Sequence, residues 1–218
     1  MDEEISINHG EIQELSRQLF SEKERSQILD IAKRLFQTFK KVEYRHNQEI
    51  AMKAVQESIL ALDKVIGGIG IDRLIIWLED DHNFTGDYPE EERPIHRPLQ
   101  YALWSIYLDS SRTAIEEVCQ HVEGIMKNKF ENTIEGIEFR PLGSITRDVG
   151  KRRILNEDIV SQLLLVTEIL NIAKHEYDLN AVRIPDMKKG IRSQVFNIHE
   201  AISMYFICRK IGMRIIQS

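Results

Sequence analysis

Apolar side chains recur at intervals of three and four residues along most of this 218-residue chain. That spacing places them on one face of an α-helix, which has about 3.6 residues per turn. The clearest stripe lies near the C-terminus and consists of Ile159, Leu163, Val166, Leu170, Ala173 and Tyr177. Asn156 precedes two acidic residues and predicts the start of this helix, because Asn caps free amides and acids favour the positive end.

Other helix starts are predicted by capping boxes, in which a Ser or Asn side chain and a Glu three residues later satisfy each other's backbone amides. The pattern occurs at Asn8 with Glu11, at Ser21 with Glu24, and at Asn197 with Glu200. The first predicts a short helix to about Phe20. The second opens a helix that continues through the apolar run of residues 28–42. The third opens a final amphipathic helix.

The middle of the chain permits more than one interpretation. A further apolar run at residues 50–66 forms, with the run of residues 28–42, either one long helix or two helices joined near Arg45. Residues 71–78 predict a short helix, with a strand as the alternative. Residues 80–98 are acidic and contain three of the five prolines, which predicts a long loop.

After this loop, apolar residues again recur at intervals of three and four. Pro98 suits a first helical turn, and the stripe continues through residues 99–126 with a break near Ser110. Residues 128–143 predict an irregular segment with a short extended pair around Ile137 and Phe139. A short helix after Pro141 is expected to end near residue 150.

These patterns predict an all-α protein, a helical bundle. We expect residues 1–79 to form an N-terminal helical hairpin region packed on the core, and residues 80–98 an acidic, proline-containing loop. Residues 99–218 should complete the bundle, so that the chain forms one compact unit.

The amino-acid composition and the absence of several motifs exclude some classes of protein. No stretch of 18 uncharged apolar residues is present, and the N-terminus is acidic, so we expect no membrane span or secretory signal and a cytoplasmic location. Cys119 and Cys208 lie inside apolar helical patterns and are interpreted as reduced core residues. The chain has no glycine-rich phosphate loop, nucleophile elbow or Cys-x-x-Cys pair. We expect no cofactor.

A candidate metal site lies at Glu79 and His82. These residues have the Glu-x-x-His spacing found in di-metal helical bundles, which need two such motifs and further carboxylates that project into the core. The same spacing recurs at Glu43 and His46, but no pattern in the sequence indicates the further carboxylates. We therefore expect no metal.

Charge is distributed unevenly around a net value of −6. Residues 1–126 carry 14 Lys and Arg against 24 Asp and Glu, whereas residues 127–218 carry 15 against 11. The basic part therefore coincides with the C-terminal helices, where it can attract phosphates if the cations share one side. Solvated loop charges are the alternative.

A polar row follows the predicted helix on the face away from its apolar stripe. It consists of Glu168, Asn171, His175 and Asp178. An Asn, three residues, then His-x-Tyr near the end of a bundle helix, followed by a polar loop and a last helix, resembles the HEPN superfamily. The resemblance covers roughly residues 140–217. It implies a small all-α domain, often dimeric, and in many members a metal-independent endoribonuclease of toxin–antitoxin and defence systems, with His175, Asn171 and Tyr177 as catalytic residues.

The chain departs from the HEPN motif at one position, because Leu170 stands where the family has Arg. Metal-free RNA cleavage needs groups that transfer protons and a cation that stabilises charge on the phosphate. His175 can transfer a proton near neutral pH, but Leu170 carries no charge and lies on the apolar stripe. We therefore expect Leu170 to be a core residue.

Two other sources of a cation remain open. Arg192 and His199 are separated by six residues, but the capping box at Asn197 places Arg192 in a loop and His199 in the first turn of the last helix. Solvent-exposed residues without a catalytic role are the alternative interpretation of this pair. Cations on the last helix could also reach the site across the bundle, namely Arg209, Lys210 and Arg214.

Two functions follow from these observations. The first is a non-catalytic or weakly active HEPN-like module of a defence or toxin–antitoxin system, which binds RNA, a protein partner or both. The second is a metal-independent endoribonuclease that uses His175 with Asn171 and a displaced cation. The predicted RNA-binding residues are Lys174, Arg192, Lys188, Lys189, Arg152 and Arg153. The resemblance further implies a homodimer and a nucleotidyltransferase partner that modifies Tyr177.

Overall fold

The computed structural model describes residue 7 and residues 9–40, 98–99, 101–102, 105–106, 110–175 and 196–218, with the backbone alone at 34–40 and 175. It contains α1 (Gly10–Leu19), α2 (Glu22–Lys40), α3 (Ser111–Phe130), α4 (Leu142–Lys151), α5 (Glu157–His175) and α6 (Ile198–Gln217), and a 3₁₀ helix at Ile137–Phe139. The described residues include no strand. The predicted all-α class is therefore confirmed.

Helix α6 is the centre of the bundle. Its residues from Ile198 to Arg209 are all buried, so side chains on every face of the helix lie in the core. Such a helix must be surrounded by other elements, because burial on all sides leaves no face for solvent. Helix α3 packs on it most extensively, and α1, α2 and α5 cover the remaining faces.

Specific contacts define the directions of the helices around α6. Hydrogen bonds join the start of α1 to the start of α6 at His9 and Glu200, and the end of α3 to the end of α6 at Lys129 and Ile215. Helices α1 and α3 are therefore parallel to α6. Helix α5 is antiparallel to it, because Gln162 near the start of α5 accepts a hydrogen bond from Arg214 near the end of α6.

Most of the predicted helix starts are confirmed. Ser21 and Glu24 bond reciprocally before α2, the Asn156 side chain accepts from the amide of Ile159, and both bonds of the capping box at Asn197 are present. Helix α1 also forms where predicted, but its N-cap residue is His9, whose side chain makes no capping bond. The Asn8 cap lies outside the described residues.

The predicted extended pair around residues 137 and 139 is wrong. Gly136, at a φ of 65°, turns the chain into the 3₁₀ helix, in which the amide of Arg140 donates to the carbonyl of Ile137 at 3.0 Å. In a strand, Ile137 and Phe139 would share a face. The structure instead buries Ile137 and exposes Phe139, which a tight helical turn permits.

Several sequence interpretations fall outside the described residues. These are the alternatives near Arg45, the segment at 71–78, the acidic loop as far as residue 97, and the Glu79–His82 motif. The predicted helix after the loop is supported where the chain is described, because Pro98 is helical and Leu99, Ala102 and Ile106 are buried. Among the described residues, none of the helices combines the length and hydrophobicity that a membrane span requires.

Replacing Gly212 by valine should lower the free energy of unfolding by about 2 kcal/mol, a typical cost of overpacking. A Cβ atom at Gly212 would lie 2.6 Å from Cδ1 of Ile125 and 3.4 Å from Nε2 of His121, and the branched valine side chain would crowd both, so the Ile125 side chain would have to leave its rotamer or α3 would have to shift from α6. Urea denaturation measures the change. Gly10→Val is the matched control, since nothing lies within 4 Å of a Cβ there. Equal stability of the two variants would contradict close packing at Gly212.

Candidate functional site

Asn171 and the backbone of His175, two of the predicted catalytic positions, lie at the end of the bundle where α5 ends and α6 begins. We call this the α5 C-terminal end. On α5, Asn171 and Lys174 are exposed, and the backbone is helical as far as His175. Because α6, α1 and α3 are antiparallel to α5, their first turns lie at the same end of the molecule.

The apolar stripe predicted for α5 is buried wherever it is described. Ile159, Leu163, Val166 and Ala173 are each at most 2% exposed, and Leu170 is 4% exposed. The expectation that Leu170 belongs to the core is therefore confirmed. Asn171 points away from this core, as the polar row predicted. The position that carries the family's Arg thus faces the interior, and its neighbour faces solvent.

A guanidinium group from another helix reaches this end of α5. Nε of Arg112, in the first turn of α3, lies 2.5 Å from the carbonyl oxygen of Ala173 and 2.9 Å from Oε1 of Glu116. A cation at this place interacts favourably with the negative end of the α5 dipole. Arg112 therefore lies within one helical turn of the His175 backbone. Sequence reasoning missed it, because no local pattern connects residues 61 positions apart.

The same end contains a buried carboxylate. Glu200 is 1% exposed, and its Oε1 accepts from the backbone amide of His9 at 3.0 Å and lies 2.9 Å from the Nδ1 of that residue. Its Oε2 accepts from the amide of Asn197 at 2.9 Å. The His9 ring also stacks on Phe196, with centroids 4.2 Å apart. These contacts attach the start of α1 to the start of α6.

The electrostatics of this cluster favour the ionised form of Glu200. Burial acts to raise the pKa of its carboxyl group. Hydrogen bonds from the His9 side chain and from the amides of Asn197 and His9 oppose that effect, and the pKa lies below its ordinary value of 4.5. These hydrogen bonds link α1 to α6 and cap the start of α6, so the carboxylate stabilises the fold. Because it is buried and already accepts these bonds, it does not contact an RNA ligand.

His199 is also buried, although one interpretation of the sequence made it a solvent-exposed residue without a catalytic role. It lies in the first turn of α6, as predicted, but is only 6% exposed. Burial lowers its pKa from the ordinary value of 6.5, opposed by the charge of Glu200 and reinforced by that of Lys33. The solvent-exposed interpretation is therefore wrong for His199. Its predicted partner Arg192 lies outside the described residues.

The structure separates the predicted RNA-binding residues. Arg152 and Arg153 are exposed at the turn between α4 and α5, at the opposite end of α5 from Asn171 and Lys174. With a rise of about 1.5 Å per residue, α5 places these two groups roughly 20 Å or more apart. Lys188, Lys189, Arg192, Tyr177 and the His175 side chain lie outside the described residues.

Two cations of the last helix lie far from Asn171. Arg214 bonds Gln162, nine residues before Asn171 on α5, and Lys210 lines the same cleft as Arg214. Nine residues correspond to about 14 Å along a helix. Arg209, the third cation, is buried. Neither Lys210 nor Arg214 is therefore placed to supply the displaced cation within one chain, whereas Arg112 of α3 is close to the end of α5.

Other candidate chemistry is limited in the part of the chain that is described. No group of three or more His, Cys, Asp or Glu side chains there is arranged to hold a metal ion. Cys119 and Cys208 are both buried free thiols, as predicted, and burial raises the pKa of Cys208.

No family model, curated protein or solved structure matches this chain. The fold class that the structure establishes for the described residues is an all-α helical bundle.

Proposed function

We propose that this protein is a HEPN-like helical module that binds RNA at the α5 C-terminal end and cleaves it weakly or not at all, as part of a defence or toxin–antitoxin system. The burial of Leu170 beside the exposed Asn171 and Lys174 carries the proposal. A side chain in the core cannot touch a phosphate. The end of α5 therefore offers polar and basic groups for binding but lacks the family's catalytic cation at its usual place.

Binding of a polyanion at this end is physically reasonable because Lys174 is exposed on the last described turns of α5. Each lysine that contacts a phosphate displaces counterions and makes the affinity depend on salt. An RNA that also contacts Arg152 and Arg153 must extend roughly 20 Å along the length of α5. The same resemblance extends the proposal to a homodimer and to a cognate nucleotidyltransferase partner.

A second function is favoured by the position of Arg112. Its guanidinium lies 2.5 Å from the Ala173 carbonyl, two residues before His175, so a cation is available next to the residue that would transfer protons. In this alternative, the protein is a metal-independent endoribonuclease in which His175 acts with Asn171 and Arg112. The ion pair with Glu116 would orient the guanidinium, as fixed geometry is needed for charge stabilisation in a transition state.

Replacing Lys174 by glutamine should weaken RNA binding and reduce the slope of log affinity against log salt by about 1. The measurement is fluorescence anisotropy with a labelled single-stranded RNA at several salt concentrations. Lys23→Gln is the matched control, because Lys23 is an exposed lysine at the start of α2, at the far end of the bundle. Equal effects of the two substitutions would contradict binding at the α5 C-terminal end.

Cleavage in EDTA distinguishes the two functions. Wild type is compared with His175→Ala, Asn171→Ala and Arg112→Gln on a mixed cellular RNA pool. Binding without cleavage by any of these proteins supports the module. Cleavage by wild type that is lost in His175→Ala and Arg112→Gln supports the ribonuclease. Absence of both binding and cleavage would contradict RNA as the ligand.

A further inference from the structure

A polar cleft lies at the end of the bundle opposite Asn171. It has a volume of about 470 Å³, and its walls come from the end of α1, the start of α5 and the last turns of α6. The polar groups that line it are Gln18, Asp158, Ser161, Gln162, Lys210 and Arg214. The volume falls within the usual range for sites that hold small ligands, about 300–1,000 Å³.

Arg214 is the distinctive group of this cleft. Its Nη1 donates to Oε1 of Gln162 at 2.6 Å, and Gln162 is itself buried, so a neutral amide holds the guanidinium in place. Within the described residues, no carboxylate lies within ion-pair distance of Arg214. A half-buried cation that has a fixed orientation and no close ion-pair partner among the described residues attracts an anion more strongly than a solvated one, because water screens it less.

A second cation lies on the same wall. Lys210 precedes Arg214 by four residues, so both side chains lie on one face of α6. Helix α5 begins at Glu157, and its first turns, with Asp158, Ser161 and Gln162, form the opposite wall.

We propose that this cleft binds a small phosphate-bearing ligand, with Arg214 and Lys210 as its cationic contacts. Phosphate matches the site because a guanidinium can donate two parallel hydrogen bonds to its oxygens, while the ammonium of Lys210 supplies a point charge. Ser161 and Gln18 supply further polar groups for the remainder of the ligand. This cleft is separate from Asn171 and Lys174, because about 20 Å of α5 lies between Asp158 and Asn171.

Asp158 provides an internal test of the sign of the charge. Its side chain is exposed and lines the same cleft, so it opposes an anionic ligand. Removing this charge should therefore strengthen binding. A site built for a cation or a neutral molecule would respond in the opposite way or not at all.

The experiment is isothermal titration calorimetry of the full chain with inorganic pyrophosphate at constant ionic strength. We expect binding by wild type, at least about tenfold weaker binding by Arg214→Gln, and about threefold tighter binding by Asp158→Asn, as expected for single charge-assisted contacts. Lys210→Gln is the second variant if Arg214→Gln fails to fold. Arg17→Gln is the control, because Arg17 is a mostly exposed cation on α1 that does not line the cleft.

The outcomes separate the possible sources of phosphate. Pyrophosphate binding that is lost in Arg214→Gln, with RNA affinity unchanged, establishes a small-ligand site. RNA affinity that falls in Arg214→Gln, without pyrophosphate binding by wild type, would overturn the proposal and assign the cleft to the RNA backbone. No pyrophosphate binding, or binding that persists equally in Arg214→Gln and Lys210→Gln, would also overturn it.

Discussion

Replacing Glu200 by alanine should lower the free energy of unfolding by about 3 kcal/mol, the largest loss expected from any single polar side chain described here. The carboxylate is 1% exposed and accepts hydrogen bonds from the amides of His9 and Asn197, while the Nδ1 of His9 lies 2.9 Å from it. Without it, these partly buried donors lose their acceptor, and the contact between α1 and α6 is weakened. Urea denaturation at pH 7 measures the change.

A surface ion pair is the control for the Glu200 substitution. Glu14→Ala removes the partner of Arg17 on α1, where the side chains are 46% and 61% exposed respectively, and should change the free energy of unfolding by less than about 1 kcal/mol. A loss in Glu200→Ala no greater than that in Glu14→Ala would contradict the structural role of the buried carboxylate.

The pH dependence of stability provides a second measure of the same group. Because the pKa of Glu200 is lowered below 4.5, its contribution is present above pH 4.5 and is lost as pH falls through the folded-state pKa. The stability difference between wild type and Glu200→Gln should therefore shrink as pH falls from 7 to 3. A constant difference would indicate that ionisation of Glu200 is unimportant.

Replacing Leu170 by arginine, the residue that the HEPN motif has at this position, should lower the free energy of unfolding by about 4 kcal/mol and should not create a ribonuclease. Leu170 is 4% exposed, so the new guanidinium would enter the core without a partner, which is among the most costly substitutions known. Thermal unfolding and RNA cleavage in EDTA measure the two effects.

Leu164 is the matched control for Leu170. It is a leucine on the same helix but 48% exposed, so Leu164→Arg should change stability by less than about 1 kcal/mol. Leu170→Ala tests burial without introducing charge and should cost about 2–5 kcal/mol. Equal stability of Leu170→Arg and Leu164→Arg, or new RNA cleavage by Leu170→Arg, would contradict the core position of Leu170.

Local patterns predicted local structure well in this protein. The cap at Asn156 and the capping boxes at Ser21 and Asn197 predicted where α5, α2 and α6 begin, because a cap is made by residues within one turn of each other. One local pattern predicted the wrong structure. A period of two suggested an extended pair at Ile137 and Phe139, but the left-handed turn at Gly136 selected a 3₁₀ helix.

The candidate site was predictable only where it depends on one helix. The alternation of apolar and polar positions along α5 identified Leu170 as buried and Asn171 as exposed. His9 and Arg112 could not be found in this way. Each contacts a residue far along the chain, Glu200 and Ala173 respectively, and no sequence spacing records which helices are neighbours.

By itself, the sequence determined the helical class, most of the helix starts and the face that α5 turns to the core, because these depend on period and capping within a few residues. Only the tertiary structure decided that α6 is surrounded on all sides, that Glu200 is held by His9, and that Arg112 reaches the end of α5. It also separated Arg152 from Asn171 by the length of α5. The physical reason is that helix packing is set by the shapes of whole faces, whereas a sequence pattern describes one face at a time.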